Sequence, residues 1–154
     1  MKSKFGAGRD FAVLDAQEQQ VYYVDGKMGT RPKADVKDAA DVVVYTVRGK
    51  LLGIPKHLTI SDAEGNEVGS LKAKAFSMVK DKMSLTMSDG SDWSLEGSFI
   101  EKEYNIDAHG QPIVRITQKW VTVRDAYTVD VADGVDVGLA LAVVWAVDRW
   151  VEKD

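Results

Sequence analysis

A chain of 154 residues is long enough to bury a substantial core, and it fits a single domain over residues 1–154. The absence of cysteine excludes disulfides, thiolate metal sites and a cysteine nucleophile. The net charge of −4, with both signs interspersed along the chain, argues against nucleic acid as a partner, because polyanion binding needs a basic field.

Three segments repeat one pattern, in which alternating apolar residues lead into a polar turn and a second alternating run leads out. They cover residues 11–24, 58–71 and 104–116, with Asp and Gly in the turns of the second and third copies and Glu and Gln in the first. The pattern is typical of an antiparallel β-hairpin. The copies recur about every 46 residues, which is long for one hairpin.

Additional strands are therefore expected between the copies, at residues 83–87, 93–99 and 120–124, with a hairpin turn at Gly90. The polar stretch 30–41 is predicted to be a loop or a short surface helix. Three copies are too few for a β-propeller, and closure into one barrel removes exposed edge strands.

The C-terminal segment is predicted to be a helix over residues 137–151, with Asp136 as its N-cap. Its apolar residues cover every azimuth, so the helix must be buried on all sides. In a β chain, the inside of a barrel can surround it. The apolar stretch is shorter than the roughly 20 residues of a membrane span. The side chains assigned to this central helix include Leu139, Leu141, Val143, Val144, Trp145 and Val147.

The chain resembles a bacterial member of the LURP-one-related (YxjI-like) family, whose fold is similar to the Tubby C-terminal domain and to phospholipid scramblases. The matching residues lie at 10–15, 21–27, 58–71, 74–77, 97–99, 104–106, 116–120 and 127–129, and in the apolar run ending at Asp148. The resemblance implies a mainly β fold, a closed antiparallel barrel of about 12 strands around the C-terminal helix. Tubby domains bind phosphoinositide head groups through exposed lysines and arginines, and scramblases are membrane proteins with a calcium-linked role.

The candidate ligand site is a basic cluster formed by Lys72, Lys74, Lys80 and Lys82. Lys72 and Lys74 are two apart in a predicted strand and therefore point to the same face, which is solvent if Leu71 faces the core. A phosphate group needs several such donors to converge. The alternative is a solvated barrel exterior with lysines that protect an edge strand. A second basic set is scattered in sequence and comprises Lys50, Lys56, His57, Arg115, Lys119 and Arg124.

Other polar residues fit structural roles better than chemistry. The acidic turns 61–67 and 88–92 lack the full calcium-loop spacing, and His57 and His109 have no partner pattern for a metal or a triad. Asp148 opposes the helix dipole, so we expect an ion pair at the barrel mouth, with Arg149 or an arginine of the wall. Trp93, Trp120, Trp145 and Trp150 are assigned to core or rim packing.

We therefore expect a non-enzymatic binding or scaffold domain without metal or cofactor, monomeric and cytoplasmic, with an anionic phospholipid head group or a protein as its partner. Binding to a head group would place it peripherally at a membrane. Two alternatives stay open: a small-molecule-binding or enzymatic barrel with a site at its mouth, and a membrane-associated scramblase-like protein.

Overall fold

A computed structural model describes residues 2–5, 10–27, 31, 33–50, 57–72, 82–99, 101–118 and 126–152, of which residues 2–5, 50, 72, 126 and 150–152 are described by backbone alone. These ranges hold twelve strands and one helix: β1 Lys2–Phe5, β2 Phe11–Leu14, β3 Gln20–Lys27, β4 Lys33–Asp38, β5 Val43–Lys50, β6 His57–Asp62, β7 Glu67–Lys72, β8 Lys82–Met87, β9 Asp92–Ser98, β10 Glu103–Ala108, β11 Gln111–Thr117, β12 Ala126–Val131 and α1 Val137–Glu152. The predictions of a mainly β chain with a C-terminal helix, and of strands near 83–87 and 93–99, are confirmed. The predicted strand at 120–124 lies outside the described residues.

Every strand pairs antiparallel with its neighbour in sequence, so the sheet is a simple meander. Strand β1 pairs with both β2 and β12, and this pairing returns the strand order to its start as a closed barrel. In a meander, alternate connections lie at opposite ends of the barrel. The connections that follow even-numbered strands lie at one end, which is named here the turn rim. The connections that follow odd-numbered strands lie at the other end, which is named the loop rim.

The assignment of residues 30–41 to a loop or surface helix is wrong over half of its length, because 33–38 form strand β4. From Lys33 to Lys37 this strand alternates between charged and small apolar residues, and Ala34 and Val36 are fully buried in the barrel. Its low overall hydropathy hid a period-two pattern whose inward positions need only small side chains.

The hairpin repeat is half as long as the sequence indicated. Asp15, Asp38 and Asp62 each accept hydrogen bonds from the backbone N–H groups two and four residues later, so the same turn recurs about every 24 residues. The Asp89 carboxylate likewise accepts a hydrogen bond from the backbone N–H two residues later, that of Ser91. The predicted third copy differs, because His109 and Gly110 form a two-residue turn with positive φ at both positions.

Helix α1 runs from the turn rim to the loop rim, and its residues from Ala140 to Asp148 are all buried. It lies nearest to β3, β4, β5 and β6, and the inward side chains of β4 and β5 are small, such as Ala34, Val36 and Val47, whereas β6 contributes Leu58 and Ile60. Larger inward side chains fill the remaining lumen from the other strands, and these include Phe11, Leu85, Leu95, Tyr104, Ile106, Ile116 and Tyr127. Of the central-helix residues, Leu139 is partly exposed at the turn rim, whereas Leu141, Val143, Val144, Trp145 and Val147 are buried.

The start of α1 is fixed as the sequence predicts. Asp136 accepts a hydrogen bond from the Leu139 backbone N–H at 3.3 Å, and its own carbonyl accepts one from Ala140. The carboxylate also accepts a 2.6 Å bond from the Tyr45 hydroxyl of β5, which ties the helix start to the barrel wall. The N-cap prediction is confirmed.

Candidate functional site

The two rims of the barrel carry opposite charge. The connections of the turn rim contain no lysine or arginine and seven carboxylates, namely Asp15, Glu18, Asp41, Glu64, Asp89, Asp133 and Asp136. In sequence, the connections of the loop rim hold eight cationic residues, Arg9, Arg31, Lys56, Lys74, Lys80, Lys102, Lys119 and Arg124, against four carboxylates, Asp10, Asp81, Glu101 and Asp125. The charges that alternate along the chain are thus separated along the barrel axis.

The orientation of α1 matches this separation. Its N-terminus, where the helix dipole is positive, lies at the acidic turn rim, and its C-terminus lies at the basic loop rim. Each end of the helix therefore meets charges of the opposite sign.

Near the loop rim, three cations lie side by side on the outer face of three adjacent strands. The pairing register places Lys27 of β3 opposite Lys33 of β4, and Lys33 opposite Arg48 of β5. The row of residues next to them, Gly26, Ala34 and Val47, points inward, so this basic row faces solvent. Lys27 and Arg48 are exposed, and Lys33 is half-buried.

Carboxylates beside the basic row partly balance it, since Asp25 pairs with Asp35 two residues away and the charges of Asp25, Asp35 and Asp10 all act on Lys27. Asp25 lies 2.6 Å from the Lys27 ammonium and 3.4 Å from that of Lys37, and the hydrogen bond from Lys27 lowers the pKa of Asp25. Among the carboxylates that the structure describes, neither Lys33 nor Arg48 has an ion-pair partner. Like charges directly opposite each other on a sheet are destabilising, so the row is a place where an added anion would be favourable.

The lysines singled out from the sequence are only partly within the described residues. Lys74 and Lys80 fall outside them, and Lys72 ends β7 with its side chain undescribed. Lys82 begins β8 with 65% of its side chain exposed, and its ammonium lies 3.9 Å from Glu96. Convergence of the four lysines therefore stays a prediction.

The scattered basic set is brought together in part. His57 pairs with Lys50 on one side and Lys72 on the other, so these three positions form a second row, two residues further toward the loop rim. Arg115 does not join them, since it lies within β11 and bonds Asn105 at 3.0 Å. Lys56, Lys119 and Arg124 lie outside the described residues.

A buried polar cluster lies inside the barrel at the same end. The Asp148 side chain is 5% exposed, and its carboxylate accepts bonds from the Lys102 ammonium at 2.6 Å and the Tyr127 hydroxyl at 2.8 Å. The ion pair expected for Asp148 is present, with a lysine of the β9–β10 turn as the partner that the sequence did not identify. The Tyr104 hydroxyl is buried without a hydrogen-bond partner, and burial, with the nearby Asp148 charge, raises the pKa of Tyr104.

The remaining sequence candidates have structural explanations. The Asp62 carboxylate accepts backbone N–H groups within its turn, which is turn chemistry and not a calcium loop. Over the described ranges, no three acidic or histidine side chains are grouped so that they could hold a metal ion. His109 is exposed in its turn, and Trp145 and Trp93 are buried; Trp120 lies outside the described residues, as does the Trp150 side chain.

Comparison with known proteins identifies the family. The LURP-one-related family model matches residues 1–148. The chain belongs to the LURP-one-related family. It is also similar to the uncharacterized protein YxjI of Bacillus subtilis (strain 168), at 22% identity over 156 residues, which covers 100% of this chain and 93% of that protein. No solved structure matches the chain. Within the described part of the chain, no helix has the length and apolar character to cross a membrane.

Proposed function

We propose that this LURP-one-related domain is a non-enzymatic module that binds the anionic head groups of phospholipids at its loop rim. The closed barrel around α1 would act as a rigid support that holds the basic row in place. The observation that carries the proposal is the row itself, in which Lys27, Lys33 and Arg48 face solvent on adjacent strands, and Lys33 and Arg48 have no ion-pair partner among the described carboxylates.

The geometry of the row suits a phosphorylated head group. Neighbouring strands are about 4.8 Å apart, so three cations on three strands span about 10 Å. Arg48 supplies a planar fork that can bind a phosphate through two hydrogen bonds, and the lysines supply point charges beside it. An anion placed between them would relieve the repulsion of like charges.

The charge separation favours the same end of the molecule. An anionic membrane attracts basic residues near its surface by about 1 kcal/mol each. The turn rim, with its carboxylates, would be repelled and would point away from the bilayer. The net charge of −4 therefore does not oppose binding, because it is concentrated at the far end of the barrel.

We propose that Lys72, Lys74, Lys80 and Lys82 extend this surface. They end β7, begin β8 or lie in sequence between these strands, and the β7–β8 connection belongs to the loop rim. The backbone pairing of Lys50, His57 and Lys72 provides a continuous path from the basic row to these lysines. A protein localised in the cytoplasm would then associate peripherally with the membrane.

The experiment is co-sedimentation of the protein with vesicles of phosphatidylcholine alone or with added phosphatidylserine or phosphoinositide. We expect binding to the anionic vesicles only, with weakening at high salt. Arg48→Glu should reduce the bound fraction strongly. Arg115→Glu is the matched control, because it makes the same charge change at another exposed arginine, on β11, which lies six strands from β5 in the barrel order and outside the basic row.

Further arms separate the sources of the effect. Lys72→Glu with Lys74→Glu tests the proposed extension, and soluble inositol phosphate should compete if a head group is recognised and not the bilayer as a whole. Equal loss in the Arg48 and Arg115 variants, or no salt-sensitive binding to any anionic vesicle, would refute the lipid proposal. Capture of a protein by the same surface, without vesicle binding, would refute it in favour of a protein partner.

A further inference from the structure

A cavity of about 420 Å³ opens at the turn rim, at the opposite end of the barrel from the proposed lipid surface. Its apolar lining combines residues of several strands with the first turn of α1, namely Val68, Met87, Trp93, Ile113 and Leu139. Trp93 is only 9% exposed, so the cavity reaches an indole held within the wall. The volume lies in the range of small-molecule sites, roughly 300–1,000 Å³.

The polar residues at this cavity favour a cation. Its lining contains the carboxylates of Asp89 and Asp136 together with His109, and no lysine or arginine. The Ser91 hydroxyl and backbone N–H both donate to Asp89, and these bonds lower the pKa of that carboxyl. Asp89 therefore stays ionised at neutral pH. Each connection of the turn rim likewise lacks lysine and arginine.

The N-terminus of α1 also contributes a positive potential at the cavity, beside the imidazole of His109, and its magnitude bears on the sign of the site. A helix dipole is equivalent to about half a charge at its N-terminus, and here the capping Asp136 carboxylate already meets it. Asp89 and Asp136 together carry two full negative charges. The balance at the cavity is negative, and an anionic ligand would be disfavoured.

We propose that this turn-rim pocket binds a small organic cation with a flat apolar body. The body would lie among Met87, Ile113 and Leu139, where the flexible thioether can adapt to its shape. The cationic group would lie toward Asp89, within reach of a cation–π interaction with Trp93. The pocket belongs to the end of the barrel that the lipid proposal directs away from a membrane, so the two proposals stand or fall separately.

Three probes with the same indole body and different charge test the proposal. They are tryptamine, which is a cation, its neutral analogue tryptophol, and the anion indole-3-acetate. In heteronuclear NMR titrations of the full chain, we expect tryptamine to bind with the highest affinity and to shift the Trp93 indole N–H and the Leu139 methyl signals. Tryptophol should bind up to about fivefold more weakly, which corresponds to one exposed ion pair, and indole-3-acetate should bind more weakly still.

Asp89→Asn removes one charge while leaving an oxygen that can accept the Ser91 N–H. It should weaken tryptamine binding by about fivefold and leave tryptophol binding unchanged. Asp62→Asn is the matched control, since Asp62 makes the same type of turn at the same rim but does not line the pocket. Ala108→Phe places a large side chain in the lining and should abolish binding of all probes, with folding checked by circular dichroism.

Two results support the charge argument only if they occur together: selectivity for the cation, and a larger effect of Asp89→Asn than of Asp62→Asn. Equal affinity for the three probes would overturn the charge argument. Equal effects of Asp89→Asn and Asp62→Asn would also overturn it, because they would indicate a general electrostatic field of the rim and not a specific site. Absence of saturable binding at millimolar tryptamine, or shifts confined to residues away from Trp93 and Leu139, would also overturn it.

Discussion

The ion pair between Lys102 and Asp148 provides a sharp test of how the end of α1 is held. Asp148 would oppose the helix dipole if it were alone, and it lies in the barrel interior with its side chain 5% exposed. We consider Lys102→Met, which removes the ammonium but keeps an unbranched side chain. Residue 102 has a φ of 60°, and Met is strained there as Lys is, so the change does not alter the backbone cost.

The expected loss follows from burial. Removing one partner of a fully buried ion pair costs about 3–5 kcal/mol, because the other charge stays in a medium of low polarity. Here the Lys102 side chain is 18% exposed and Asp148 retains the Tyr127 hydroxyl, so we expect a loss of about 2–3 kcal/mol in the free energy of unfolding. Asp148→Asn should remove most of the penalty that Lys102→Met creates.

The assay is urea unfolding of the two single variants and the double variant, followed by tryptophan fluorescence and circular dichroism. The double-mutant cycle should give a coupling energy of about 1–3 kcal/mol. Lys82 and Glu96 form the comparison pair at 3.9 Å, with side chains 65% and 68% exposed, and their cycle should give at most about 0.5 kcal/mol. A coupling for Lys102 and Asp148 no larger than that of the exposed pair would refute the reasoning.

Two further predictions concern the turn rim and the basic row. Asp136→Ala should lower the free energy of unfolding by about 1–2 kcal/mol, because the N-cap of α1 and the hydrogen bond from Tyr45 are lost together. Tyr45→Phe removes only the hydrogen bond from Tyr45. Thermal melting of both variants would therefore show whether the cap contributes, and equal losses would indicate that it does not. The hydrogen bond from Lys27 lowers the pKa of Asp25 in the folded state. The ionised carboxylate therefore stabilises the fold fully above pH 3.8, the ordinary pKa of this group, and this stabilisation is lost as the pH falls through the lower pKa of the folded state. The stability difference between the wild type and Asp25→Asn should accordingly shrink below pH 3.8 in acid titrations, and a difference that stays constant would contradict the role of the pair.

Local chemistry was readable from the sequence where one residue sets one structural feature. Asp136 marks the helix start because its carboxylate reaches a free N–H of the first turn, and the turn at Gly90 follows from its positive φ. The continuous apolar surface of residues 139–147 indicated a helix enclosed by other elements. Strand β4 was missed because its inward residues, Ala34 and Val36, are few and small, and they suffice only because α1 passes close to them.

The two candidate sites depended on tertiary structure, because both are assembled across strands. The basic row joins Lys27, Lys33 and Arg48 through strand register, which no local pattern fixes. Likewise, Lys102 and Asp148 are 46 positions apart and meet only where a turn of the wall reaches the end of the helix.

By itself, the sequence determined the β-hairpins, their aspartate turns and a helix that needs burial on every side. Only the closed meander decided which charges share a surface. Because each antiparallel strand reverses the chain, alternate connections gather at the same end of the barrel. Charges that look mixed along the chain are thereby sorted into an acidic rim and a basic rim.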